Sequence, residues 1–156
     1  MKSISVWLIL KDGQNTGKVA LQRRAEKDGN KIQSFPFVFQ ATVSGKIEAG
    51  ETPKQATIRE TAEELGANFT LPQLKEFYIA KYKFKGLPSS TYNYYGRISE
   101  KNLQTVQLHS GVFPQLFFIG KNELPKIKTT SDKTANLKCD IVLFPDQLDA
   151  LQKLFQ

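Results

Sequence analysis

Gly45-Lys46-Ile47-Glu48-Ala49-Gly50-Glu51-Thr52-Pro53-Lys54-Gln55-Ala56-Thr57-Ile58-Arg59-Glu60-Thr61-Ala62-Glu63-Glu64-Leu65-Gly66-Ala67 is the stretch on which the reading of this chain turns. It predicts one short helix. Thr52 offers a capping hydroxyl, Pro53 suits the first helical position, Gln55 completes a capping box and Gly66 supplies the stop. Ile58, Ala62 and Leu65 recur at helical spacing and predict the buried stripe. Glu60, Glu63 and Glu64 share a different face. Like charges four residues apart, as at Glu60 and Glu64, destabilise a helix unless something compensates. Such a face is solvated, paired, or holding a cation. Arg59 can pair with Glu63 or with Glu51, but one arginine cannot neutralise four acids. Oxygen ligands at this density suit a hard divalent ion such as Mg2+, which completes its shell with water and substrate phosphates.

Upstream of this stretch the pattern is that of strands. Ile4, Val6, Leu8 and Leu10 alternate with period two, and Trp7 and Ile9 make the other face partly apolar. Asp12 to Lys18 reads as a hairpin loop and Val19 to Arg24 as the return strand. Glu26 to Ser34 reads as a loop. The second half of Phe35 to Val43 reads as a strand leading to Ser44-Gly45. Downstream, Leu74 to Lys85 and Thr91 to Ile98 read as strands around a loop at Gly86 to Ser90. In Gln104 to Pro125, strand pieces are expected at Val112-Phe113-Pro114 and Leu116 to Ile119. Lys126 to Lys138 reads as a loop and Asp140 to Phe144 as a last strand. Pro145 then opens a closing helix with Leu148, Leu151 and Leu154 or Phe155 on its apolar face.

The bulk numbers bound the functional classes. With 156 residues the chain is expected to form a single domain spanning residues 1–156. Its 40% apolar and 24% charged residues are ordinary for a soluble globular protein. A net charge of +7 suits anionic partners such as nucleotides, with nucleic acid a less favoured option. The lone Cys139 excludes an internal disulfide and fits a reducing, cytoplasmic setting. With His109 and Cys139 single of their kinds, a His/Cys zinc site within one chain is excluded. No apolar run is long enough to span a membrane, and the start of the chain is expected to be a first strand, with no signal peptide. Oligomeric state is left open by the sequence.

The central stretch resembles the Nudix box, G-x5-E-x7-R-E-U-x-E-E-x-G-U, where U is bulky and apolar. Gly45, Glu51, Arg59, Glu60, Glu63, Glu64 and Gly66 occupy all seven fixed positions. Chance agreement at seven such positions is on the order of one in 10^8. The two U positions depart from the pattern, as Thr61 and Ala67. Val19 to Ala25 is similar to the second strand of MutT-like members. Phe39 to Gly45 resembles the strand before the box in members that act on nucleoside triphosphates. The clear resemblance covers residues 19 to 67.

The resemblance implies an α/β fold, a Nudix-type α/β/α sandwich in which a mixed β-sheet lies between the box helix and a C-terminal helix. It also implies Mg2+- or Mn2+-dependent hydrolysis of a nucleoside diphosphate linked to another group. The favoured reaction is pyrophosphohydrolysis of a nucleoside or deoxynucleoside triphosphate or similar small nucleotide. Carried over by position, Glu60, Glu63 and Glu64 would be metal ligands, with the backbone carbonyl at or just before Gly45. Glu64, or an acid outside the box, would help activate the attacking water. Glu51 would hold Arg59 and is also a candidate to bind a metal through water, and Lys46 would face the phosphates. Arg23 is the better match to the substrate-side arginine, ahead of Arg24. Late acids that could join the site are Glu123, Asp132 and Asp140.

Of the aromatic residues, Tyr82, Tyr92 and Tyr94 are candidates to stack on a base, with Tyr82 the one assigned to substrate. His109 is expected on the surface and Cys139 in the core. A non-catalytic nucleotide- or RNA-binding module on the same fold is the alternative. Isomerase chemistry on an isoprenoid diphosphate is a weaker third, because it needs more histidines than this chain has.

Overall fold

The computed structural model of the protein describes residues 1–107 and 116–156; His109 and Val112-Phe113-Pro114 lie outside them. The first strand, β1 (Lys2–Leu10), organises the rest. Along one edge it runs parallel to β8 (Leu87–Ile98) for its whole length. Its other edge is divided. Ser3 to Val6 pair antiparallel with β6 (Val43–Lys46), and Leu8 and Ile9 with β2 (Val19–Arg23). The sheet therefore forks where β6 parts from β2. A single side chain spans the fork: Thr42 Oγ1 accepts from Leu8 N at 3.0 Å and donates to the Ala20 carbonyl.

The remaining elements extend this frame. A small separate hairpin joins β3 (Lys27–Asp28) to β4 (Lys31–Ile32), inside the segment expected to be a loop. Next come β5 (Phe39–Gln40), which pairs with β2, then β6 and α1 (Pro53–Leu65). The strand β7 (Lys75–Phe84) runs antiparallel to β8 and forms one end of the sheet. Only Lys85 and Gly86 join them, with φ of 50° and 79°. Two residues with positive φ form the hairpin turn that matches strand twist, so the expected loop at 86–90 contracts and Leu87 to Ser90 become strand. After a short α2 (Glu100–Leu103), β9 (Leu116–Ile119) pairs with β2. A 3-10 turn at Lys121–Lys126 precedes β10 (Lys128–Thr129), β11 (Val142–Leu143) and the closing helix α3 (Pro145–Leu154). No helix among the described residues is long and apolar enough to cross a membrane.

Alternation along β1 divides the core in two. Ile4, Val6, Leu8 and Leu10 pack with Ala56 and Leu65 of α1, together with Val43, Phe69 and Ile98. Trp7, on the opposite face, packs with Leu21, Phe39, Ala150 and Leu151 beneath α3. The mixed, curled sheet thus lies between α1 and α3. Polar contacts fix α3: Gln147 Oε1 accepts from Ala41 N at 2.8 Å, and its Nε2 donates to Ser5 Oγ at 2.9 Å.

Candidate functional site

The ends of α1 form as the sequence predicts. Thr52 Oγ1 accepts from Gln55 N, Gln55 Oε1 accepts from Thr52 N, and Pro53 opens the helix. Gly66 closes it at φ 93°, in the region glycine favours. The buried stripe differs from the expectation. Ile58 is 56% exposed and Ala62 is exposed; Ala56, Thr57, Thr61 and Leu65 face the sheet. The reason lies in the acids. Glu60 and Glu64 follow the same helical direction as Thr57 and Thr61, so burying that face carries two carboxylates toward β6.

Glu64 is the more deeply held of the two. Its Oε2 accepts from the backbone N–H of Ser44 at 3.0 Å. Burial pushes its carboxyl up to about 8, and the neighbouring Glu60 and Glu63 charges add to this, while the Ser44 bond opposes it. Burial likewise raises Glu60, against the pull of Arg59. Glu60 lies directly on Gly45, where any Cβ would overlap its carboxyl group. The glycine permits this close approach; its backbone freedom is not what is used.

Arg59 gathers the remaining acids. It grips Glu51 with two bonds, Nε to Oε2 at 2.8 Å and Nη2 to Oε1 at 2.9 Å. Its Nη2 also donates to the Lys46 carbonyl at 2.8 Å, and its Nη1 to Glu60 at 2.8 Å and Glu63 at 3.4 Å. The paired guanidinium holds Glu51 down to about 2, and Glu51 and Glu60 raise Arg59 in turn. Helix, loop and β6 are thereby fastened at one point.

A cleft of about 370 Å³ opens beside Glu64, with Gly45, Lys46 and Tyr82 on its walls. Hydroxyl groups are linked between neighbouring strands along its wall: Ser3 Oγ to Thr91 Oγ1 at 2.8 Å, Tyr82 OH to Thr91 Oγ1 at 3.0 Å, and Ser5 Oγ to Ser44 Oγ at 3.3 Å. Tyr92 and Tyr94 instead pack against the core beneath α1.

The arginine expected in the cleft is not the one found there. Arg23 turns away and donates to the carbonyls of Phe37, Leu137 and Lys138, beneath the rings of Phe37 and Phe39. Its neighbour Arg24 takes the opposite direction, as alternation along an extended chain requires, and lines the cleft.

The late acids are also placed elsewhere. Glu123 accepts from Gly120 N, Asp132 from Thr134, and Asp140 from Asn136 N while pairing with Lys128. Each shapes its own loop. The late acid that does reach the cleft is Asp146, at the start of α3, which sequence reasoning passed over as part of a helix. Burial raises its carboxyl. Cys139 is exposed, against the expectation of a core residue.

Among the described residues, no three acidic, histidine or cysteine side chains are grouped as a ready metal cage. Glu60 and Glu63 are turned onto Arg59, and Glu64 onto Ser44. The donor chemistry nevertheless fits a hard divalent cation. All candidate ligands are oxygens, two of them half-buried carboxylates, and glycine at 45 leaves the backbone open beside Glu60.

A family model described as the NUDIX domain matches residues 1–133. Solved structures similar in fold include a mutT/nudix family protein from Listeria innocua, with a TM-score of 0.68 at 17% identity over 99% of this chain and 90% of that one. The NUDIX domain of Shewanella oneidensis NrtR, complexed with ADP ribose, aligns with a TM-score of 0.66 at 16% identity over 99% and 85%. The MutT protein from Methanosarcina mazei Go1 aligns at 0.62 and 15% identity over 99% and 91%. No functionally curated protein matches the sequence. The family match takes in the whole of α1 and the cleft wall that Glu64 faces, and the chain belongs to the NUDIX family.

Proposed function

We propose that the protein hydrolyses a (deoxy)nucleoside triphosphate, or a similar small nucleotide, in a Mg2+- or Mn2+-dependent reaction. The observation that carries this reading is Glu64. It is a desolvated carboxylate, aimed by the Ser44 amide, at the wall of a cleft that also holds Lys46. Glu60, Glu63 and Glu64 would hold the cation, with the backbone carbonyl at or just before Gly45. When bound, the cation screens the diphosphate and lowers the pKa of attacking water.

The chain's own residues do the rest. Lys46 supplies a positive charge to the phosphates from the cleft wall. Glu64, aimed by the Ser44 amide at that wall, would help to activate the attacking water. Glu51 and Arg59 touch no substrate; they hold the Lys46 carbonyl and Glu60 in place. The hydroxyls of Ser3, Thr91 and Tyr82 offer hydrogen bonds to the sugar or phosphate oxygens.

The test is a panel of nucleoside triphosphates, ADP-ribose and dinucleoside polyphosphates, each with Mg2+ or Mn2+, followed by phosphate and pyrophosphate release. Metal-dependent release from a triphosphate supports the proposal. Tight binding of one nucleotide with no turnover of any overturns it in favour of a binding module.

A further inference from the structure

The two ends of the main sheet are built differently. One end, β10, is two residues long and gives another strand little to pair with. The other end, β7, runs for ten residues and pairs only with β8. A bulge between Glu76 and Tyr78 interrupts its start, after which Tyr78 to Phe84 keep a regular register. Among the described residues, no backbone hydrogen bond leaves the β7–β8 ladder along that stretch. In an antiparallel pair the amide and carbonyl of every second residue point outward, so this edge presents a row of unanswered donors and acceptors.

Pairing fixes which way each side chain points. Tyr92 and Tyr94 pack beneath α1, so Ile79, opposite Tyr92, lies on the α1 side of the sheet. Lys81, opposite Ser90, and Lys83, opposite Pro88, follow on the same side. Lys2, which pairs with Ser90 from β1, adds a third ammonium there. Ile79 is 38% exposed, and all three lysines are exposed. None of these lysines joins an ion pair among the described residues. Glu76, at the bulge, is the one acid that β1, β7 and β8 place on this side.

Lysines on an edge keep copies of the same chain apart, because a two-fold contact would bring them together. The same charges attract a chain of opposite sign, and an exposed isoleucine is what a purely protective edge omits. We propose that β7 is a docking edge for an extended acidic segment of another protein. The segment adds as a strand along Tyr78 to Phe84, with carboxylates beside Lys81 and Lys83 and an aliphatic side chain beside Ile79. A peptide backbone answers both the outward amides and the outward carbonyls. A phosphate backbone, which the positive charge would also attract, can accept from the amides but cannot donate to the carbonyls. The docking edge does not depend on what the cleft binds.

The experiment uses two fluorescein-labelled peptides of the length of the regular stretch, Thr-Glu-Thr-Glu-Thr-Val-Thr and its reverse, for antiparallel and parallel addition. One of them is expected to bind at least about 10-fold tighter than the same sequence with lysine in place of glutamate, by fluorescence anisotropy. N-methylation of one alternate set of its amides should weaken binding about 10-fold, and methylation of the other set should not, since only one set faces β7. Joint replacement Lys81→Glu and Lys83→Glu should weaken it about 10-fold, and Ile79→Ser severalfold. These side chains are exposed, so the fold should be retained by circular dichroism. Bound peptide should also slow hydrogen exchange at alternate amides of Tyr78 to Phe84, read by NMR, which adhesion through charge alone would leave unchanged. Failure of both peptides to bind overturns the proposal, as does binding that the two methylated sets affect equally. A uridine trinucleotide that binds these lysines as tightly as the better peptide overturns it in favour of nucleic acid.

Discussion

The amide of Ser44 donates to the carboxylate of Glu64 at 3.0 Å, joining β6 to the last turn of α1. One bond thus aims the carboxylate at the cleft and ties the helix to the sheet. Replacing Glu64 with Gln keeps a carbonyl acceptor for that amide and removes the base. Turnover should fall by about 10^2–10^4-fold, with the fold intact by circular dichroism. Activity within a few-fold of the parent would remove Glu64 from the chemistry.

The same residue gives the metal-free protein a pH-dependent stability. Glu64 titrates at about 8 in the fold and near 4.3 when unfolded, so between these values the native state binds the extra proton. Stability is fully present at the acid end of this window and declines as pH rises through it. Urea midpoints should therefore drop between about pH 5 and about pH 8, and Glu64→Gln should flatten the drop. Added Mg2+ should lessen it also. A parent curve as flat as the variant's would contradict the assignment.

Glu51 acts in the opposite direction. Arg59 holds its carboxyl down to about 2, below its unfolded value. The contribution of this pair is present above about pH 4.5 and is lost as pH falls toward 2. Glu51→Gln should lower the melting temperature by several degrees at neutral pH and by little at the acid limit. Arg59→Lys should also destabilise, since an ammonium cannot reproduce the two-pronged grip on Glu51.

A side chain at position 45 should push Glu60 aside. Alanine there would displace the Glu60 carboxyl, so Mn2+ affinity in Gly45→Ala should fall by about 10-fold or more by calorimetry. Unaltered affinity would show that Glu60 does not hold the ion.

Thr61 carries the one buried side-chain polar atom among the described residues that has no hydrogen-bond partner. Valine has the same shape without the hydroxyl. Thr61→Val should raise stability by about 1 kcal/mol, or about 2–4 °C in Tm for a chain of this size. A loss of stability would mean that the hydroxyl finds a partner in solution.

The box and both ends of α1 were legible in the sequence because they depend on local chemistry: a cap, a proline, a glycine and fixed spacings. The two cores followed from alternation in β1. What failed was whatever depended on contacts distant in sequence. Ile58 fits an apolar stripe as well as Thr57 does until β6 draws Glu60 and Glu64 inward. Arg23 and Arg24 differ only in direction, which strand pairing decides. Asp146 reaches the cleft because α3 folds back over β1 and β5, and nothing local announces that. Phe84 and Phe144, widely separated in the sequence, line the same cleft only once the chain is folded.

Thr42 closes the fork in the sheet with one hydroxyl, standing in for a missing rung of the ladder between β1 and β2. The acids lie on one prong, with α1 and β6, while Arg24 and Phe35 follow from the other. The acids of the box and the arginine at the cleft wall are thus reached from different partners of β1. The small hairpin of β3 and β4 pairs with no strand of the main sheet, so it can change in length without disturbing either side of the fork.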